Sequence, residues 1–232
     1  MTDPSKYAII SDIHSNLDAL EAVISKLSGM PVICLGDIVG YGPQPNEVIE
    51  TLFDLQPLAV LMGNHDYAVI TGNVEGFSAH AAAAIAWTRR KLTSANLRFL
   101  SKLSPSTKLE LEEASVGLYH GSPRDPLFEY VYPEVGSAVA AELVHQSGSS
   151  AVLLGHTHIP MTFSIGDKLL ANPGSVGQPR DGIPLASFGV LRKGTLCAFE
   201  IIRVKYDVES TATKIAASGL PRFLGHRLYA GI

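Results

Sequence analysis

Ala151-Val152-Leu153-Leu154-Gly155-His156-Thr157-His158 is the stretch whose reading decides the fold. Its first half has the length and apolar character of a buried strand. In extended backbone, residues i and i+2 face one side. His156 and His158 are therefore expected to aim two imidazoles the same way beyond the strand's end. Paired imidazoles suit a transition metal. A pair of surface histidines would read the same in isolation, so the stretch needs companions.

Four other segments repeat the pattern. Asp12-Ile13-His14 follows the apolar run Tyr7-Ala8-Ile9-Ile10, and Gly36-Asp37 follows Val32-Ile33-Cys34-Leu35. Gly63-Asn64-His65-Asp66 follows Val60-Leu61-Met62, and His120-Gly121 follows Val116-Gly117-Leu118-Tyr119. Each run ends in a side chain able to bind a metal or move a proton, usually beside glycine. In open α/β sheets, ligands bind outside the carboxyl ends of the strands. The repetition therefore describes one rim.

The ordered set Asp-x-His, Gly-Asp, Gly-Asn-His-Asp, His-Gly, Gly-His-x-His resembles the calcineurin-like metallophosphoesterase superfamily, over about residues 6 to 175. Ser11–Leu17, Gly36–Pro43 and Asn172–Gly177 are similar to its small bacterial and archaeal phosphodiesterase-like branch. The resemblance implies an α/β fold of two packed, mostly mixed β-sheets flanked by helices, an αββα sandwich. It implies two divalent transition metal ions, Mn, Fe or Zn. Asp37 would bridge them. Asp12, His14 and His158 would complete one site, and Asn64, His120 and His156 the other. A metal-activated hydroxide would attack phosphorus, and His65 would protonate the leaving group as general acid. A mixed nitrogen and oxygen set suits these metals better than Ca²⁺. The lack of cysteine ligands argues against a closed structural zinc site.

Other candidates carry two readings each. Asn16 is either a donor to phosphate or a helix N-cap. Arg124 and Arg180 sit just past motif segments, where guanidinium forks match phosphate geometry, yet loop arginines are commonly solvated. Asp66 either orients the site or caps the next turn, and Tyr41 borders the pocket. His80, His145 and His226 lie outside every motif and read as ordinary surface or core histidines.

One departure bears on substrate. Protein phosphatases of this superfamily read Gly-Asp-x-Val-Asp-Arg-Gly where this chain reads Gly36-Asp37-Ile38-Val39-Gly40-Tyr41-Gly42. The Asp that pairs with the catalytic histidine there is Gly40 here, and the phosphate-binding Arg is Tyr41. The expectation is a phosphodiesterase acting on a small or nucleotide-type substrate. The alternatives are a phosphomonoesterase, including a phosphoprotein phosphatase, and a non-catalytic protein-binding scaffold on the same fold. A filled ligand set favours chemistry, because such geometry is costly to hold.

Composition narrows partners and place. The 232 residues are 46% hydrophobic and carry 18 basic against 22 acidic side chains, a formal charge of −4. No basic block stands out beyond Arg89-Arg90-Lys91, so no stable nucleic-acid complex is expected. Cys34 and Cys197 read as small buried hydrophobes without a disulfide framework. The first strand begins almost at once, and no apolar stretch reaches membrane-span length. A cytoplasmic protein, no membrane and a small phosphoester partner are expected; self-association is left open.

Periodicity supplies the element order. Leu17, Leu20, Val23, Ile24 and Leu27 recur at helical spacing after Asn16, and Asn46 opens a second helix through Leu55. With strands at 7–11, 32–35 and 59–62 this reads βαβαβ, a mostly parallel sheet. Phe77 to Leu103 reads as two helices joined near Ser94, and residues 77–105 are expected to form a helical cap within a single domain, 1–232. Strands follow near 107–112 and 115–119, then a helix from Glu134 to Gln146. Runs near 161–165, 168–171, 186–192 and 195–204, with turns at Gly166-Asp167 and Lys193-Gly194, suggest a second, antiparallel-leaning sheet. Val208–Ala217 and Pro221–Leu228 read as terminal helices.

Overall fold

The computed structural model describes residues 6–111, 114–192 and 198–232. The expected Lys193-Gly194 turn and the Cys197 position lie outside the described residues. The chain begins β1 (Lys6–Ile10), α1 (Leu17–Ile24), β2 (Val32–Cys34), α2 (Pro45–Asp54), β3 (Ala59–Val60). β1, β2 and β3 pair in parallel, with Ile9 opposite Ile33 and Cys34 opposite Val60. Asn16 starts α1 by accepting the Ala19 N–H at 3.1 Å. Pro45 opens α2, where its missing N–H costs nothing. Leu27 stays buried, but after Ile24 the helix tightens into i→i+3 bonds, Lys26 to Val23 and Leu27 to Ile24.

Three helices follow: α3 (Asn64–Thr71), α4 (Ala79–Lys91) and α5 (Ser94–Leu100). Then come β4 (Ser106–Leu111), β5 (Ala114–Tyr119), α6 (Gly136–Ser147), β6 (Ala151–Leu154), β7 (Met161–Ile165) and β8 (Lys168–Asn172). The chain finishes with β9 (Ala186–Arg192), β10 (Ala198–Val204), α7 (Val208–Ala217) and α8 (Phe223–Ala230). The described strands form two five-stranded mixed sheets, in the orders β10-β9-β1-β2-β3 and β4-β5-β6-β8-β7.

Strand alternation explains the layers. Ile9, Ile33 and Leu35 of the first sheet meet Val116, Leu118, Leu153 and Leu169 of the second in one buried cluster. Their neighbours Ala8, Ile10, Val32 and Cys34 face the opposite way, onto a cluster with Leu20, Val23, Ile49 and Leu52. On the far side, Val152, Leu154 and Leu170 pack with Ala140, Leu143 and Val144 of α6. Each sheet is thus buried on both faces, which is why its strands read as continuous apolar runs. Burying one such aliphatic side chain contributes about 1.5–3 kcal/mol.

Three expectations need correction. The four late runs do not share a sheet. β7 and β8 join the second sheet, but β9 pairs antiparallel with β1, Ile9 opposite Gly189, and β10 lies outside it. Periodicity cannot say which edge a strand covers; here β9 and β10 cover the free edge of β1. β3 ends at Val60, short of the expected 62: Leu61 N–H still reaches Cys34 O at 2.9 Å, but Met62 N–H turns away to Ser104 O at 2.9 Å. Asn64 to Thr71, read only as a motif loop, is a helix. Among the described residues no helix is long and apolar enough to cross a membrane.

Candidate metal centre

The segments after β1, β2, β3, β5 and β6 converge on one rim. Main-chain bonds tie them together: Asp12 N–H to Gly36 O (3.0 Å), His14 N–H to Asp37 O (2.9 Å) and Gly155 N–H to His120 O (2.9 Å). The backbone differs from the extended geometry expected of His156 and His158. Their φ angles are +69° and +62°, and Asp12, His14 and Asp37 stand at +53°, +50° and +51°. The donors therefore converge through left-handed turns rather than by alternation along a strand. Such turns cost non-glycine residues about 1–3 kcal/mol each, a cost that clusters at functional sites. Gly63 is required sterically: a Cβ there would meet Asp37 Oδ1 at 2.0 Å and Asp37 N at 2.2 Å.

Two groups of potential ligand atoms, each within 4.8 Å of one another, share Asp37. Asp12, His14, Asp37 and His158 form one; Asp37, His120 and His156 form the other. Asp37 Oδ2 lies 3.4 Å from His14 Nε2 and 3.6 Å from His120 Nε2. Asp12 Oδ1 lies 3.2 Å from His158 Nε2. Asn64 Oδ1 approaches His120 Nε2 at 3.2 Å, so the expected seventh residue stands beside the second group.

Main-chain carbonyls set the imidazole tautomers. His14 Nδ1 lies 3.1 Å from Val39 O, His120 Nδ1 2.8 Å from Leu35 O, and His158 Nδ1 2.6 Å from Gln178 O. A carbonyl only accepts, so each Nδ1 carries the proton and each neutral ring turns a lone pair inward from Nε2. His156 is reversed: its Nε2 faces Phe128 O at 3.3 Å, which leaves Nδ1 inward. His14 Nε2 and His158 Nε2 then stand 3.1 Å apart, lone pair to lone pair. Asp12 Oδ1 and Asp37 Oδ2 are buried with no hydrogen-bond partner. Converging lone pairs and unpartnered carboxylate oxygens fit divalent cations and little else.

Electrostatics agree. Burial pushes Asp37 well above the usual carboxylate range, helped by the charges of Asp66 and Asp12. Burial alone would raise Asp12 too, but the neighbouring His158 outweighs it and the net shift is downward. Burial lowers His158 to about 4, with the Arg180 charge next, and lowers His156 to about 2, with His120 next. Neutral imidazoles are the form that ligates metal.

His65 sits in the first turn of α3, and its N–H donates to Asp37 Oδ1 at 2.8 Å. Its ring lies 4.3 Å from that of Tyr41 and 4.9 Å from that of Phe77. His65 Nδ1 is buried without a hydrogen-bond partner. Gly40, at φ +93°, faces it: a Cβ there would lie 2.7 Å from His65 Nδ1. The absent Asp of the protein-phosphatase pattern thus leaves this histidine without a carboxylate. Burial, then the Arg180 charge, hold His65 well below its ordinary value. Asn64, His65 and His156 open on a cavity of about 430 Å³.

The remaining candidates separate. Asn16 is used internally: it caps α1, donates to Gly177 O at 2.9 Å and accepts from Thr211. Arg124 does not line the cavity; it pairs with Glu129 Oε1 and, at 3.6 Å, with Glu142. Arg180 does line it, holding Gln178 Oε1 at 3.0 Å and the Tyr41 hydroxyl at 3.3 Å. Asp66 does both jobs weighed for it. It accepts from Gly63 N–H at 2.9 Å, and from Ile38 and Val39 N–H at 3.2 and 3.0 Å, clamping the turn after Asp37. His80 stacks on Phe223 instead, centroids 4.8 Å apart.

Sequence reasoning missed several residues. Tyr130 stacks on His156 with centroids 3.8 Å apart, and Phe128 and Arg227 line the same cavity. Ser175 Oγ holds Asp12 O at 2.7 Å, and Asn172 Nδ2 holds Gly155 O at 2.6 Å. The segment Asn172–Gly177 carries a family resemblance but no side-chain role legible in sequence, and nothing in the sequence marks Arg227 or the aromatic pair.

The calcineurin-like phosphoesterase superfamily domain matches residues 6–194, so α7 and α8 lie beyond it. An uncharacterized protein of Methanocaldococcus jannaschii is 38% identical over 98% of both chains. The phosphodiesterase YfcE of Escherichia coli is 25% identical, over 82% of this chain and 89% of its own length. The crystal structure of a metallophosphoesterase from Sphaerobacter thermophilus superposes with TM-score 0.84 at 34% identity, covering 98% of this chain and 99% of that one.

Proposed function

The chain belongs to the calcineurin-like phosphoesterase superfamily, and from that premise we propose that it is a dinuclear-metal phosphodiesterase acting on small or nucleotide-type substrates. The observation that carries the proposal is Asp37: one unpartnered oxygen serves both ligand groups. Asp12, His14 and His158 would hold one cation, Asn64, His120 and His156 the other, with Asp37 between. When bound, such a pair supplies water activation near neutral pH and neutralises phosphoryl charge.

The chain's own residues supply the rest. The carbonyls of Val39, Leu35 and Gln178 fix ring orientation before anything binds. Arg180 places a fixed positive charge on the cavity wall, ready for the phosphoryl oxygens. His65 acts as general acid at the leaving oxygen. A phosphate's negative charge beside the ring favours its protonated form, against the burial that holds it neutral. Residues 77–105 serve as a cap: Phe77, Ser78 and Ala81 line the cavity, while Leu100 anchors the segment in the main core.

Diesters are favoured over phosphoproteins because Gly40 and Tyr41 replace the Asp and Arg of the protein-phosphatase branch. That YfcE is named a phosphodiesterase supports the same choice. The test is turnover by the metal-loaded protein on nitrophenyl diesters, monoesters, nucleotides and phosphoserine peptides. Phosphopeptide turnover tenfold above diester turnover would overturn the proposal.

A further inference from the structure

Tyr41 occupies the position of the phosphate-binding Arg in the protein-phosphatase pattern, and two arginines from elsewhere converge on its ring. The guanidinium carbon of Arg180 lies 5.8 Å from the ring centroid and that of Arg227 lies 5.9 Å. Arg180 comes from the loop after β8 and Arg227 from α8. Both line the 430 Å³ cavity that holds Asn64, His65 and His156. Neither has an Asp or Glu partner among the described residues: Arg180 holds Gln178 and Tyr41, and Arg227 holds Tyr41 and, through Nε, the oxygen of the final residue Ile232. Two like charges sharing one ring repel unless an anion joins them.

The two arginines are not equivalent. Arg180 is near enough to the ligand cluster to rank among the charges that lower His14, His65 and His158. Arg227 is lowered by burial first and then by the Arg180 charge, with Tyr41 pulling the other way. Arg180 is also tied to the cluster through Gln178, whose main-chain O meets His158 Nδ1 at 2.6 Å, whereas the hydrogen bonds of Arg227 among the described residues run to Tyr41 and Ile232. The position of Arg227 is held by the fold. Leu224 and Leu228 of α8 pack with Tyr41, Ala81 and Ala84, and Gly231 O accepts the Gly182 N–H at 2.9 Å. That last bond ties the end of α8 to the loop carrying Arg180.

We propose that Arg227 binds a second anionic group of the substrate, so that the preferred substrate is a phosphoester carrying a further phosphate. The inference rests on the phosphodiesterase reading, which places the scissile phosphate beside Arg180 and His65. The second phosphate then lies farther out along the cavity, on a residue beyond positions 6–194, which the family domain matches.

The test compares thymidine 5′-(p-nitrophenyl phosphate) with the same ester carrying a 3′-phosphate, on the metal-loaded full chain. Both release nitrophenolate, so chemistry at the scissile bond is matched. A charge-assisted contact predicts a kcat/KM preference of roughly tenfold or more for the 3′-phosphate ester. Arg227→Gln brings that ratio near one, Arg227→Lys keeps most of it, and rising salt erodes it in the native protein. Calorimetry with adenosine 3′,5′-bisphosphate against adenosine 5′-monophosphate supplies a readout independent of turnover. No turnover of either ester would sink the phosphodiesterase reading, and the binding preference then decides the Arg227 site by itself. Equal affinities, a native ratio near one, or an Arg227→Gln ratio equal to native would overturn it. Equal losses on both esters in Arg227→Gln would place Arg227 on the scissile phosphate and overturn it too.

Discussion

Replacing Asp37 by Asn should raise the melting temperature of the metal-free protein while abolishing its metal binding. The side chains are isosteric. Oδ1 keeps the His65 N–H at 2.8 Å. The amide nitrogen takes the place of Oδ2, 3.4 Å from His14 Nε2 and 3.6 Å from His120 Nε2. Both nitrogens present lone pairs, so an unpartnered buried oxygen becomes a donor with two acceptors. Burial raises Asp37 well above the usual carboxylate range, and its protonated form would already donate to His14. The gain is therefore read at a pH high enough to ionise it, where an unsatisfied buried polar group costs about 1–3 kcal/mol, more when charged. At about 2–4 °C per kcal/mol for a chain of this size, the metal-free variant melts roughly 2–12 °C higher. The metal-loaded comparison runs the other way. Ligand at a hundred times its Kd adds about 2.7 kcal/mol to the native protein, and the variant gains nothing. Scanning fluorimetry with and without chelator, alongside elemental analysis, reads both effects. A variant that retains two metals per chain, or melts below the metal-free native protein, would refute the reasoning.

Asp12→Ala should lower metal stoichiometry by about one ion per chain, since its free oxygen faces only the His14 and His158 group; elemental analysis showing loss of both ions would contradict the division. His65→Ala should keep both metals and cost little on nitrophenyl esters, whose leaving group needs no proton. On an alkyl diester the same change should approach the roughly 10²–10⁴-fold typical of general acid catalysis, and equal kcat/KM losses on both would move His65 to a positioning role. Asp66→Ala strands the N–H groups of Ile38, Val39 and Gly63. At about 1–3 kcal/mol per buried orphan, partly relieved by water, the melt should fall by about 5–15 °C; an unchanged melt would show that the turn after Asp37 does not depend on this clamp.

The site could be read from sequence because its chemistry is local. Every strand that ends on the rim carries its candidate ligands within about four residues of its last apolar position, so apolar run and polar tip appear together. The glycines beside them mark where another segment must pass closely: Gly63 against Asp37 is the clearest case. The parallel pairing of β1, β2 and β3 was equally legible, since each intervening helix is announced by its own period. How the ligands converge was not. His156 and His158 meet their partners through left-handed turns, and backbone conformation of that kind is set by what surrounds it, not by residue type alone.

By itself, then, the sequence determined the candidate ligand positions, the apolar faces and most of the element order, α3 excepted, because each depends on neighbours within a few residues. Tertiary structure alone decided which edge β9 and β10 cover, which nitrogen each histidine turns inward, and what walls the cavity. Arg124 and Arg180 look alike as loop arginines after a motif; Glu129 captures one, and Gln178 and Tyr41 turn the other to the cavity. Arg227 lies 186 residues from Tyr41 in the chain yet within 5.9 Å of its ring. The packing of Leu224 and Leu228 brings it there. Long-range packing chooses among partners that local pattern leaves equivalent, because hydrophobic burial is non-directional and only the assembled core fixes what lies across from what.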